Sequence, residues 1–174
     1  MFETNRIRLR KFSESDIPTY YHWRNDIEVM SATSLNLDTY SFQEVEQFCG
    51  QIIHSSTSKS YIIEQKKSSL PIGITSLINI DTHNRNAECI IDIGRKDYWG
   101  QGYGKEALTL LLDYAFLELN LHRISLRVFS FNDRAIHLYK KLGFQHEGTC
   151  KEAVFRNGKW HDIETFALLQ SNYK

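Results

Sequence analysis

Three glycines in five residues, Gly100, Gly102 and Gly104 in the run Trp99-Gly100-Gln101-Gly102-Tyr103-Gly104-Lys105, stand between an apolar segment and a periodic one. Before them, residues 87–94 read Ala-Glu-Cys-Ile-Ile-Asp-Ile-Gly, the pattern of a buried strand. After them, Ala107, Leu108, Leu111, Leu112, Ala115, Phe116 and Leu119 recur on one face of an α-helix. The glycines therefore fall on a helix N-terminus, where several N–H groups lack an intrahelical partner and the helix dipole is positive. A pyrophosphate can accept those bonds at close range only where side chains are missing, which glycine provides. An ordinary tight strand-to-helix turn explains an isolated glycine trio equally well, so the choice depends on the rest of the chain.

Two common phosphate motifs fail on spacing. The dinucleotide fingerprint needs G-x-G-x-x-G, and these glycines are spaced at two and two. The nucleoside-triphosphate loop needs a glycine five residues before Gly-Lys and a Ser or Thr after it, where this chain has Trp99 and Glu106.

Charge excludes other classes. Lys plus Arg and Asp plus Glu each number 21, so no overall basic field invites nucleic acid. No apolar run approaches the length of a membrane span, and Met1-Phe2-Glu3-Thr4-Asn5-Arg6 does not resemble a signal peptide, so no membrane partner and a cytoplasmic location are expected. Cys49, Cys89 and Cys150 are odd in number and far apart, which argues against a disulfide framework and a zinc site. The seven histidines are scattered, with His22 and His137 on predicted helices beside core residues, and no metal is expected.

Along the chain, residues 6–10 alternate as a first strand, and Ser13 with Asp16 opens a helix through Ile17, Tyr20 and Arg24. A polar stretch follows over 25–39. Ser41 and Glu44 form a second capping box for a helix through Ile53, and strands are expected over 61–65 and 72–80. After the glycine loop and its helix, residues 123–129 form a half-buried strand. Asn132 caps a helix ending before Gly143, and Asn157-Gly158 marks a terminal hairpin. With 41% hydrophobic residues and no repeat or linker, the 174 residues read as one α+β domain, 1–174.

Strand, Trp-Gly-Gln-Gly-Tyr-Gly, helix, strand and then Asn132-Asp133-Arg134-Ala135-Ile136-His137-Leu138-Tyr139-Lys140-Lys141-Leu142-Gly143-Phe144 resemble the GCN5-related N-acetyltransferase (GNAT) superfamily. Tyr114-Ala115-Phe116, Leu119-Asn120-Leu121-His122-Arg123 and the late Asn-Gly hairpin are similar to its ribosomal-protein N-terminal and spermidine acetyltransferase branch. The resemblance spans essentially the whole chain. It implies the GNAT fold, a central mixed, mostly antiparallel twisted sheet flanked by helices. It also implies direct transfer of acetyl from acetyl-CoA to a primary amine in a ternary complex.

Residue by residue, the resemblance places the CoA pyrophosphate on the backbone of Gln101, Gly102, Tyr103, Gly104 and Lys105. Position 99, where the family carries Gln or Arg, holds Trp. Ile91, Asp92 and Ile93 would run beside the pantetheine arm, with Asn132 touching it; Asn132 has a second reading as a helix cap. Tyr139 matches the general acid that protonates the departing thiolate, against a plain core tyrosine. Glu88 matches a carboxylate that would take a proton from the ammonium substrate directly or through water, against a solvated surface charge. Cys89, beside it, is not expected to act as a nucleophile.

The acceptor is the least defined partner. Asp26 and Glu28 offer carboxylates for a cation, but the acidic pair that spermidine enzymes carry just beyond is replaced here by Ser31-Ala32-Thr33-Ser34-Leu35-Asn36. A protein N-terminus and a small-molecule amine both stay open, as does a homodimer. The alternative is a module that binds acetyl-CoA without transfer; it would need the phosphate socket but neither Tyr139 nor Glu88.

Overall fold

The computed structural model describes residues 1–174. Seven strands, β1 (Ile7–Lys11), β2 (Lys59–Gln65), β3 (Leu70–Asp81), β4 (Asn86–Asp92), β5 (Arg123–Phe129), β6 (Gln145–Arg156) and β7 (Lys159–Leu169), form one sheet in the order β1-β2-β3-β4-β5-β7-β6. Every neighbouring pair is antiparallel except β4 and β5. Five α-helices accompany the sheet: α1 (Ile17–Arg24), α2 (Ile27–Met30), α3 (Phe42–Ile53), α4 (Tyr103–Asp113) and α5 (Asp133–Lys141).

Alternation along the strands gives two main core clusters, beside a small one of Phe129, Val154 and Ile163. Ile62 of β2 and Ile74 of β3 pack with Ile17, Tyr20 and Trp23 of α1 and Val45 and Cys49 of α3. Ile63, Ile72, Leu77 and Cys89 point the other way and pack with Leu108, Leu111 and Leu112 of α4 and Tyr139 of α5. The helices thus sandwich the sheet. On β4, Cys89 and Ile91 belong to the α4 side, as does Ile93 just beyond its end, so Glu88, Ile90 and Asp92 belong to the α1 side.

Local signals set the boundaries. Both capping boxes form, Ser13 with Asp16 and Ser41 with Glu44. Gly143 takes φ +92° after α5, and Asn157 and Gly158, both at positive φ, turn β6 into β7. Two features depart from expectation. The stretch 25–39 is not wholly irregular: Asp26 caps α2 by accepting from the N–H groups of Glu28 and Val29. The glycine-loop helix does not stay α-helical to Leu119, but widens into a π-helical turn over Tyr114–Glu118 that buries Ala115 and Phe116.

One close approach ties α1 to the end of β4. A Cβ on Gly94 would lie 2.2 Å from the Trp23 ring, so the indole packs directly on the glycine backbone.

Candidate active site

β4 and β5 pair at only three positions, Asn86↔Arg123, Ala87↔Ile124 and Glu88↔Ser125. β4 then continues to Asp92 and β5 to Phe129 without pairing to each other. Main-chain donors and acceptors along a parted edge are available to an extended ligand. Beyond the fork lies a cavity of about 310 Å3, walled by the end of β4, the glycine loop, the start of α4, one face of α5 and the segment from Val29 to Thr33.

The phosphate end is built from backbone. Gly100 and Gly102 take φ +73° and +84°, and Gly102 is the N-cap of α4. Tyr103, Gly104 and Lys105 are then the first three helical residues, whose N–H groups have no partner within the helix. Gly104 has an ordinary φ, and a Cβ there would sit 3.6 Å from Leu138 and 3.8 Å from Ile91, in the cavity rather than in a clash. Arg6 braces the loop from the start of the chain. It donates to the Gln101 carbonyl at 3.1 Å, binds Glu106, and lies 4.3 Å from the centroid of the Tyr103 ring. The Gln101 side chain donates back to the Asp97 carbonyl, and Gln101 does not line the cavity.

Trp99 does line it. Its Nε1 donates to the Ile93 carbonyl at 2.7 Å, and Arg134 of α5 stands over the indole, 4.4 Å from its centroid. A guanidinium thereby reaches the loop from another element, opposite the position where the family keeps Gln or Arg. Arg134, His137 and Lys141 share one face of α5 and, with Lys105, give the cavity a basic rim. Their spacing of three and four is visible in the sequence, but the apolar residues of the same helix mask it. His137 is thus a cavity residue rather than a member of the core.

Tyr139 is 8% exposed and lines the same cavity. Burial, then the nearby Cys89 and Asp92, push its phenol well above the ordinary tyrosine range, so it holds its proton at neutral pH. Cys89 is buried, and burial followed by the charge of Glu88 lifts its thiol to about 12, which suits an inert core residue. Asn132 caps α5 by accepting from the Ala135 N–H at 3.2 Å and also donates to the Ala32 carbonyl at 3.3 Å, which ties the segment after α2 to the cavity wall.

The carboxylates are arranged differently from the sequence expectation. Glu88 sits at the last paired rung of the fork, bound to Arg127 at 3.0 Å, and does not line the cavity. Asp26 and Glu28 both bind Lys96, at 3.1 and 2.8 Å, so neither is a free cation site. Asp92 does line the cavity, and its Oδ1 is shut off from solvent with no hydrogen-bond partner. Burial raises its carboxyl to about 6, against the opposing pull of the Thr33 hydroxyl and the Arg24 guanidinium.

A parted pair of strands, a backbone phosphate socket with a basic rim, and a protonated phenol facing the same space can hold an extended phosphorylated thioester and protonate its leaving sulfur. The comparisons with known proteins agree. Residues 6–145 match the acetyltransferase (GNAT) domain family. The chain is 32% identical over 169 residues to the spermidine N(1)-acetyltransferase of Vibrio cholerae serotype O1, covering 97% of this chain and 96% of that one. The crystal structure of spermidine N-acetyltransferase from Vibrio cholerae in complex with CoA and spermine matches with a TM-score of 0.90 at 32% identity, covering 98% of this chain and 99% of that one. A dodecameric structure of the Vibrio cholerae enzyme in an intermediate state matches with a TM-score of 0.82 at 31% identity, covering 97% and 96%. The chain belongs to the GNAT acetyltransferase family and is an acetyl-CoA-dependent N-acetyltransferase.

Proposed function

We propose that this enzyme acetylates a primary amine of a small aliphatic polyamine, and that the cavity beyond the β4–β5 fork is where transfer occurs. The observation that carries the acceptor class is the near-full-length similarity to a Vibrio cholerae enzyme whose crystal structure is described as a complex with CoA and spermine. In this reading the N–H groups of Tyr103, Gly104 and Lys105 hold the CoA pyrophosphate, with Gln101 and Gly102 shaping the turn. The edge of β4 at Ile91 and Asp92, with Ile93 just past its end, runs beside the pantetheine arm, near Asn132.

The amine attacks the thioester carbon, the C–N bond forms, and the C–S bond breaks with its electrons on sulfur. Tyr139, protonated before the step, supplies the proton that turns the thiolate into a thiol. Glu88, held by Arg127, would reach the ammonium only through water. Asp26 and Glu28 would form the mouth of the acceptor site, and their common partner Lys96 leaves little net negative charge there for the far ammonium of a polyamine. An oligomer, most simply a homodimer, is part of the proposal; the dodecameric relative supports self-assembly and light scattering would measure it.

The test is acetyl-CoA-dependent thiol release with spermidine, spermine, a short diamine, a monoamine, an amino sugar and a peptide with a free N-terminus, with products identified by mass. N-acetylpolyamine as the preferred product is the expected result. Preference for the peptide would replace the acceptor class with a protein N-terminus.

A further inference from the structure

Among the residues lining the cavity, Asp92 carries a buried side-chain oxygen, Oδ1, with no hydrogen-bond partner. Its neighbours on the β4 strand alternate to the other face, toward α4, whereas Asp92 belongs to the α1 side. The charge of Asp92 is felt by Tyr20 of α1 and Tyr139 of α5, and Arg24 and Thr33 act on it in turn. Tyr20 is buried and keeps its proton, because burial and then the charge of Asp92 push its phenol up. Arg24 packs its guanidinium over the Tyr40 ring at 4.7 Å and acts on Asp92 only as a nearby charge. A buried carboxylate oxygen with nothing to bond is costly, and because Asp92 is only part-buried in the cavity wall, a cation entering the cavity can reach the carboxylate and offset that cost.

We propose that Asp92 receives the ammonium of the acceptor and takes its proton, so that the free amine stands between this carboxylate and the thioester. The assignment rests on the cavity being the transfer site, and it replaces the water-mediated route through Glu88.

The step balances as follows. The R–NH3+ group gives one proton to the Asp92 carboxylate and becomes R–NH2, whose lone pair forms the C–N bond. The C–S electrons leave on sulfur, which takes the Tyr139 proton. The second nitrogen proton restores Tyr139 through solvent, and Asp92 releases its own proton to solvent as product leaves. The sum is R–NH3+ plus acetyl-CoA giving the acetamide, CoA–SH and one H+.

Three features fit this role better than Glu88 does. Asp92 lines the cavity and Glu88 does not. Glu88 already has Arg127 as its counter-ion, while Asp92 Oδ1 has none. A carboxyl raised to about 6 is closer to an ammonium in proton affinity than an ordinary carboxyl near 3.8, and at pH 7 it is still mostly ionised.

The test compares Asp92→Asn with Glu88→Gln, using a protonated alkyl amine and hydroxylamine, which is uncharged at neutral pH. Asp92→Asn should lower kcat/KM for the alkyl amine at pH 7 by about 100-fold or more, the range of a lost general base. Its acetyl-CoA affinity should hold, its activity should climb with pH as free amine accumulates, and its rate with hydroxylamine should stay close to that of the parent. Glu88→Gln should lower the rate with the charged amine much less than Asp92→Asn does. Equal losses of Asp92→Asn with both nucleophiles, or the full effect appearing in Glu88→Gln instead, would overturn the assignment. The parent enzyme gives a second readout that needs no variant: kcat/KM should fall on an acidic limb near pH 6, and the absence of that limb would also overturn it. A parent enzyme that binds acetyl-CoA but acetylates no amine would overturn the reading of the cavity itself, a different failure from any of these.

Discussion

Arg134 and Trp99 form one unit: the guanidinium of α5 lies 4.4 Å from the centroid of the indole, which is itself fixed by its bond to the Ile93 carbonyl. The pair puts a planar cation beside the glycine loop although the loop's own first residue cannot carry one. A cation–π contact of this kind is worth about 0.5–2 kcal/mol, and it orients the guanidinium at little entropic cost.

Arg134→Ala should therefore weaken CoA binding by about tenfold, roughly the worth of one charge-assisted hydrogen bond to phosphate. Calorimetry at two salt concentrations checks it, with the larger effect expected at low salt. Unchanged affinity would place Arg134 outside the phosphate site.

Gly104 offers a cleaner probe of the socket than Gly102, whose φ of +84° would strain any side chain. Alanine at 104 fits the φ and meets no atom closer than 3.6 Å. Gly104→Ala should hold or raise thermal stability, by up to about 1 kcal/mol from helix propensity, while lowering CoA affinity. A variant that is both more stable and equally tight for CoA would contradict close approach of the phosphates.

Gly94→Ala tests the contact that seats α1 on the sheet. The added methyl would fall 2.2 Å from the Trp23 ring, with the ring packed in the α1–α3 core, so neither partner can yield cheaply. A loss of about 1–3 kcal/mol is expected by urea unfolding. An unaltered midpoint would mean the indole swings aside.

Arg10 links two buried carboxylates, binding Asp16 at 2.8 Å and Glu64 at 2.7 Å. Burial alone would raise both carboxyls, but Arg10, with Ser13 for Asp16 and Arg8 for Glu64, holds each below its ordinary value. Groups depressed in the folded state add stability above their ordinary pKa values and lose it as pH falls through the folded ones. The protein should thus lose stability below about pH 4, and Arg10→Ala should flatten that dependence. At neutral pH the variant should cost about 2–3 kcal/mol, less than for a fully buried pair because Arg10 is 31% exposed. Equal acid sensitivity in both proteins would sink this prediction.

Much of the fold was legible in the sequence because its signals are local. Ser13 with Asp16, Ser41 with Glu44, Gly143 and Asn157-Gly158 act through their own hydrogen bonds and φ values, and each ends or begins an element where expected. The α2 turn was hidden in the polar stretch because its stability comes from one Asp26 cap and the burial of Val29 and Met30. Tertiary pairing was harder to read. Strand pattern says that Glu88 and Asp92 share a face, but not that Arg127 on β5 claims the first and that the second ends unpaired in a cavity. Lys96 claims Asp26 and Glu28 in the same way. Arg6, 95 residues from Gln101, and Arg134 reach the loop through contacts no spacing rule encodes.

The most direct measurement is Tyr139→Phe assayed for turnover and for acetyl-CoA affinity in the same preparation. Removing only the phenolic hydroxyl should cut kcat by about 100-fold or more, the range of a lost general acid, and leave affinity and unfolding midpoint near those of the parent. Full turnover in the variant, or lost affinity at unchanged turnover, would contradict the cavity beyond the β4–β5 fork as the place where acetyl transfer occurs.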